Sequence, residues 1–245
     1  MVNRIHFEVA QTAVTILAEE RYHRAAQEAI FETREIIEEY VHQHPMFQTA
    51  LEPYEPGARA PHLIRRMCST ASRAGLGPMA TVAGTIAEAA VVAMMEEGAT
   101  QAVVDNGGDL ALLLSDRIHV GLYTGNPRFK DLGMRLEPRE GAFGMCTSSG
   151  TVGPSLSFGR ADSATVISRD VLLADACATR LGNEITLEDE AGMERALGLV
   201  MDIEGVEGAL AVAGEHMGMK GELPKLIRMS EVEDRITTRL FPDLE

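Results

Sequence analysis

The sequence predicts an α+β fold: antiparallel sheets with helices packed against them, in two interlocked lobes. Three observations predict it. Strand-like segments occur in runs, long helical stretches separate those runs, and the residues available to fill the interior are small. Hydrophobic residues make up 45% of the 245 positions, but aromatic residues supply only 4% and there is no tryptophan. Ala, Val, Leu and Met must therefore form the core, and such side chains let helices lie close to a sheet. The length suits one unit. Within it the sequence suggests an N-terminal helical lobe to about residue 75, a motif-bearing core over about 75–230 and a charged tail over 231–245.

Residues 5–18 alternate loosely and are rich in Val, Ile and Thr, which predicts an opening strand or hairpin. From Tyr22 to His42 apolar residues recur at helical spacing with Glu and Arg between them, an amphipathic helix that Pro45 ends. Residues 51–61, with Pro53, Pro56, Gly57 and Pro61, read as an irregular connection. A second helix spans His62 to Ala74. A third, dense in Ala, Val and Met, runs from about Pro78 to Glu97, with proline suited to its first turn. Ala102 to Val104 reads as a buried strand, Leu110 to Leu114 as the next, and Ile118 to Tyr123 as its hairpin partner. A loop near 124–131, short strands through Gly144–Thr151, a strand at Ala164–Ser168, helices at about 171–181 and 188–201, and a last strand at Gly208–Val212 complete the reading.

The net charge of −15 argues against a polyanion as the main partner, because gripping nucleic acid takes clustered Lys and Arg. Only His62-Leu63-Ile64-Arg65-Arg66 forms a small basic knot. No run approaches ~18 uninterrupted apolar residues, so no membrane span is expected. No signal peptide or lipobox is visible, and Cys68, Cys146 and Cys177 are odd in number without CxxC spacing. A reducing cytoplasm is the expected location. The apolar helices suggest a homodimer.

Four constellations are candidates for chemistry. Gly75-Leu76-Gly77-Pro78 opens the most apolar helix, whose unpaired N–H groups and dipole suit a phosphate; the plainer reading is a tight turn, with Gly84 permitting close helix packing. Asn106-Gly107-Gly108-Asp109 offers polar groups on a sharp turn at a sheet edge, or simply makes a hairpin. Cys146-Thr147-Ser148-Ser149-Gly150-Thr151 gathers hydroxyls and glycine that can hold phosphate oxygens. Cys146 is either a nucleophile or a buried bystander thiol. In Ala174-Asp175-Ala176-Cys177-Ala178-Thr179, Asp175 and Thr179 are four apart and share a helix face, presenting hard oxygens suited to Mg²⁺; the alternative is an N-terminal Asp and a core Thr.

Together these segments resemble the ApbE superfamily of FAD:protein FMN transferases. Gly84-Thr85-Ile86-Ala87-Glu88, Gly107-Gly108-Asp109-Leu110, Thr147-Ser148-Ser149-Gly150 and Ala174–Thr179 occur in the family's order. The resemblance implies Mg²⁺ held by Asp175, Thr179 and a backbone carbonyl near Thr85. It further implies a flavin cofactor, FAD or FMN, or another small-molecule nucleotide, lined by Glu88, the Asn106–Asp109 loop and Thr147–Thr151. Glu88-Ala89 stands where the family has Lys-Gly. Thr151–Asp162 lacks the family's His-x-x-Asp-Pro-x-Thr-Gly segment, and no histidine lies between His119 and His216. The details are closer to an ApbE-related branch of prokaryotic proteins, a likeness that extends over nearly the whole chain. Three functions compete: a transferase or hydrolase acting on a nucleotide pyrophosphate, a non-catalytic binding or regulatory protein on the same fold, and a thiol enzyme using Cys146.

Overall fold

The computed structural model describes residues 2–9, 12–149 and 159–229. The chain opens with strands β1 (Val2–Val9) and β2 (Thr12–Glu19), then helices α1 (Glu20–Gln43), α2 (Pro45–Thr49) and α3 (His62–Arg73). A 3₁₀ turn at Pro78–Thr81 leads into α4 (Val82–Glu96), followed by β3 (Ala102–Asn106), β4 (Asp109–Leu114), β5 (Ile118–Gly121), β6 (Leu132–Leu136), β7 (Arg139–Ser148) and β8 (Ser163–Ser168). Helices α5 (Val171–Glu184) and α6 (Glu190–Met201) precede β9 (Val206–Ala213), β10 (His216–Gly221) and β11 (Lys225–Arg228).

An eight-stranded antiparallel sheet in the order β1-β2-β3-β4-β7-β8-β9-β10 organises the molecule. A three-stranded sheet, β11-β6-β5, is the second. The first two strands thus share a sheet with the motif-bearing strands.

Side chains alternate across a strand, so each strand feeds two cores. On one face Val104, Ala111, Cys146, Ala164, Ala209 and Ala211 pack with α1, α4, α5 and α6. On the other Val103, Leu112, Phe143, Met145, Ile167 and Leu210 pack with Met134 and Leu136 of the small sheet. The helix face carries the small residues and the small-sheet face the large ones. A third cluster, with Tyr40, Phe47, Ile64 and Met67, joins α1, α2 and α3.

Several expectations are corrected. Strand β5 is not the hairpin partner of β4: β4 lies between β3 and β7, and β5 pairs with β6, Ile118 opposite Leu136. Leu112 and Leu114 need an apolar cover on their face, and Ile118 and Val120 help supply it from the second sheet. Pro45 begins α2 rather than merely ending α1. The helix expected from Pro78 starts as a 3₁₀ turn, where the Thr81 hydroxyl donates to the Pro78 carbonyl at 2.8 Å. Strands β10 and β11 were not anticipated: β10 is largely exposed and glycine-bearing, and β11 has four residues. The segment Pro78–Glu96 has the length and apolarity to cross a membrane, and half of it is buried. Here that apolarity serves packing on several sides, against α1, α5 and the sheet.

Candidate functional site

Turn and helix glycines bring the motifs together. Asn106 and Asp109 face each other across a two-residue hairpin, with Gly107 at φ 72° and Gly108 at φ 104°, conformations that side-chain-bearing residues rarely adopt. The motif makes the hairpin, and the same turn carries the polar Asn106 to the helix layer. Asp105 accepts from the Gly108 N–H at 2.9 Å and tightens the turn. The Asn106 amide donates to the Ala83 carbonyl at 3.2 Å, tying the turn to the first residues of α4.

Asp175 reaches the same place from α5. Its carboxylate accepts the Gly84 N–H at 2.7 Å, and its side chain is buried. Gly84 makes this approach possible: a Cβ there would meet the Asp175 Cβ at 2.9 Å and the Val171 carbonyl at 3.0 Å. An N–H in the first turn of α4, where a phosphate was anticipated, is thus taken by the protein's own carboxylate. Gly144 on β7 performs the same service beneath α5, where a Cβ would lie 2.8 Å from the Val171 Cα.

Asp109 stands directly opposite Cys146 across the β4–β7 pair. Burial raises its carboxyl pKa well above the usual carboxylate range, and the neighbouring charges of Asp175 and Asp105 push the same way. Burial lifts Asp175 to about 7, against the opposing pull of the Gly84 and Ala83 N–H groups. The Asp109–Asp175 repulsion is a property of the pair. Among the described residues neither carboxylate has an Arg or Lys ion-pair partner. No three His, Cys, Asp or Glu side chains among them converge as a metal cage.

Cys146 is fully buried, with its thiol 3.7 Å from the Val171 carbonyl. Burial, then Asp109 and Asp175, raise its pKa well above that of a free thiol. That suppresses the thiolate and argues against a nucleophile. Cys68 and Cys177 are also buried, pushed up to about 11 and about 12 by burial.

Alternation divides the hydroxyl motif. Thr147 points to the small-sheet face and bonds Thr165 at 2.9 Å, while Ser148 lies on the helix face with Cys146. Ser148 is 7% exposed, and its hydroxyl has no hydrogen-bond partner among the described residues. Ser149 follows the strand half-buried; Gly150 and Thr151 lie outside the described residues. Thr179 sits one turn beyond Asp175 on α5, half-buried. Thr85 is buried in α4, its hydroxyl donating to the Thr81 carbonyl at 2.6 Å.

Glu88 forms a two-pronged ion pair with Arg66 of α3, whose guanidinium also bonds Asp170 at 3.2 Å. Asp170 in turn caps α5 through the Leu173 N–H at 3.4 Å. Arg66 and Asp170 were not among the candidate residues. The basic knot at 62–66 was the available signal, but nothing in sequence pairs it with a residue 22 positions away. Two surface hollows, about 470 Å³ beside Val2–Ile5 and about 460 Å³ beside Arg139 and Glu207, are lined by other residues.

A large antiparallel sheet with helices on one face, and Asp175 bonded to the first turn of α4, go with an ApbE-like protein. The chain belongs to the family whose sequence model is described as AbpE bacteria, which matches residues 1–209. A UPF0280 protein of Methanosarcina acetivorans is 48% identical over 233 residues, covering 95% of this chain and 92% of that one. Another, from Methanocella arvoryzae, is 46% identical and covers 94% of each. Among solved structures the ApbE protein of Thermotoga maritima superposes with a TM-score of 0.55 at 14% identity, over 98% of this chain and 100% of that one. The Pseudomonas stutzeri flavinyl transferase ApbE, apo form, gives 0.51 at 14% identity over 98% of each chain. These structural likenesses show the fold.

Proposed function

We propose that this ApbE-like protein binds a pyrophosphate-containing nucleotide, a flavin such as FAD or FMN first among them, together with Mg²⁺ at Asp175. We further propose that it acts on the pyrophosphate as a transferase or hydrolase. The observation that carries the reading is the Asp109–Asp175 pair, in which Asp175 is buried and Asp109 half-buried. Two carboxylates that feel each other with little water between them favour a shared proton or a cation, and the pKa of each is raised here. The donor set suits Mg²⁺: carboxylate oxygens, the Thr179 hydroxyl one turn on, and the unpartnered buried hydroxyl of Ser148. Mg²⁺ commonly takes one or two carboxylates and completes its shell with water and phosphate oxygens, so a full protein cage is unnecessary. When bound, the ion would neutralise pyrophosphate charge.

The chain's own residues would do the rest. Asp175, fixed by the Gly84 N–H, keeps its carboxylate at the first turn of α4. Asn106 holds that turn against α4, and the turn's glycines let a ligand approach the backbone. The flavin class is supported by the solved relative named a flavinyl transferase. The three free, buried thiols support a reducing, cytoplasmic setting.

A second reading, binding or regulation without turnover, is favoured by one observation. Glu88 stands where the resemblance calls for Lys, and its charge is consumed by Arg66. Calorimetric titration with FAD in the presence of Mg²⁺, followed by chromatography of the incubated nucleotide, separates the readings. Binding that is lost in Asp175→Ala, with release of FMN or AMP, supports the enzyme. Binding without product supports the second reading. FAD and Mg²⁺ binding equally well, or not at all, in both proteins removes the assignment.

A further inference from the structure

We propose that β1 is the interface of a two-fold homodimer, in which the edge strands of two copies pair antiparallel and continue one sheet into the other. Strand β1 is an edge of the large sheet, and among the described residues it pairs only with β2. An eight-residue edge leaves a row of backbone donors and acceptors open to another strand.

Its sequence is complementary to itself. A two-fold axis perpendicular to the sheet keeps helix faces on one side, so opposed residues must have numbers of equal parity. Centring the axis on His6 sets Arg4 of one copy opposite Glu8 of the other, twice over. It sets Ile5 opposite Phe7, also twice, and Asn3 opposite Val9. Opposite charges and apolar pairs directly across an antiparallel ladder both stabilise it. On the helix side Ile5, Phe7 and Val9 form a partly buried apolar row. Phe31 of α1 stands edge-to-face on Phe7, ring centres 5.4 Å apart, and is 50% exposed. A second copy would cover that row. On the other face Glu8 lies 2.9 Å from His6 of its own strand, with its side chain still 70% exposed.

The opposite edge of the sheet shows the contrast. Centring β10 on Gly218 would set His216 opposite Lys220, a pairing with no charge complementarity. Strand β10 also has a glycine at its middle and another at its end. Met217 would face Met219 there, an apolar pair, so it is the charge complementarity that selects β1. An isologous pairing also closes on itself, whereas joining β1 to β10 would propagate.

Sedimentation velocity on the full chain, with circular dichroism to confirm folding, reads the proposal. The wild type should be a dimer. Glu8→Arg sets Arg opposite Arg and should raise the dissociation constant at least tenfold, and the double exchange Arg4→Glu/Glu8→Arg should restore it. His6→Cys places two thiols on the axis, where paired Cα atoms lie about 4.5–5.5 Å apart, within disulfide reach. Mild oxidation should cross-link it, while Asn3→Cys should stay uncross-linked. The native cysteines are buried and should not compete. A monomeric wild type overturns the proposal. So does a dimer indifferent to Glu8→Arg, a double exchange that does not recover, or equal cross-linking at positions 3 and 6. None of these results depends on whether the protein binds a nucleotide.

Discussion

The two faces of the eight-stranded sheet are made by the same strands, one residue in two, yet they do different work. The small-sheet face is filled by Leu112, Phe143, Met145, Ile167 and Leu210, and its stability comes from apolar bulk. Apart from Ile16 and Leu113, the helix face is lined mainly by alanine, valine and glycine, and α4 and α5 come close enough for Asp175 to accept a backbone N–H of α4. Among the described residues the buried carboxylate, Asp175, lies on this face. Small side chains on this face thus set the distance at which polar groups from separate elements meet.

Adjacent residues on β7 give the strongest way to break that contrast. Phe143→Ala should open a cavity on the small-sheet face and cost about 3–5 kcal/mol in chemical denaturation, with metal and nucleotide affinity little changed in the folded protein. An equal loss of affinity would show that the faces are not separable.

The second test is pH. Between the ordinary carboxyl value of 3.8 and about 7, native Asp175 holds a proton that the unfolded chain has released. Stability should therefore fall as pH rises through that window and level off above it, by up to about 4 kcal/mol. Asp109, with Asp105 and Cys146 beside it, contributes in the same direction. Asp175→Asn should flatten the slope, and Mg²⁺ should raise the melting temperature more at pH 8 than at pH 5. A slope unchanged in Asp175→Asn would move the burden to another group.

Gly144→Val comes next and fails in the opposite way from its neighbour, by overpacking. Its Cβ would meet the Val171 Cα, and about 1–3 kcal/mol should be lost, with α5 displaced and metal affinity reduced. Arg66→Ala should have the smallest effect. Glu88 is left mostly buried without its cation, but Arg66 is itself 36% exposed, so about 1–2 kcal/mol is expected. Recovery in Arg66→Ala/Glu88→Gln, measured as a double-mutant cycle, would show that the pair is a clasp between α3 and α4.

Much of the fold was legible because its signals are local. The helices α1, α3, α5 and α6, and the strands β3, β4, β8 and β9, follow from spacing within a few residues. The destination of β5 did not, since pairing with β6 rather than β4 is decided by which large side chains need cover. Within the site, helical spacing from Thr179 picks out Asp175, and the Asn-Gly-Gly-Asp turn picks out Asn106 and Asp109. The division of Thr147 from Ser148 was readable in principle, because neighbours on a strand face opposite ways. The Arg66–Glu88 clasp was not, because an ion pair between two helices leaves no periodic trace.

The central claim is that the helix-face carboxylates form a cation site. Mn²⁺ in place of Mg²⁺, followed by electron paramagnetic resonance with and without FAD, tests it most directly. The account predicts one bound Mn²⁺ per chain, tightened by FAD and weakened at least tenfold in Asp175→Asn. Mn²⁺ binding that is identical in wild type and Asp175→Asn would contradict it.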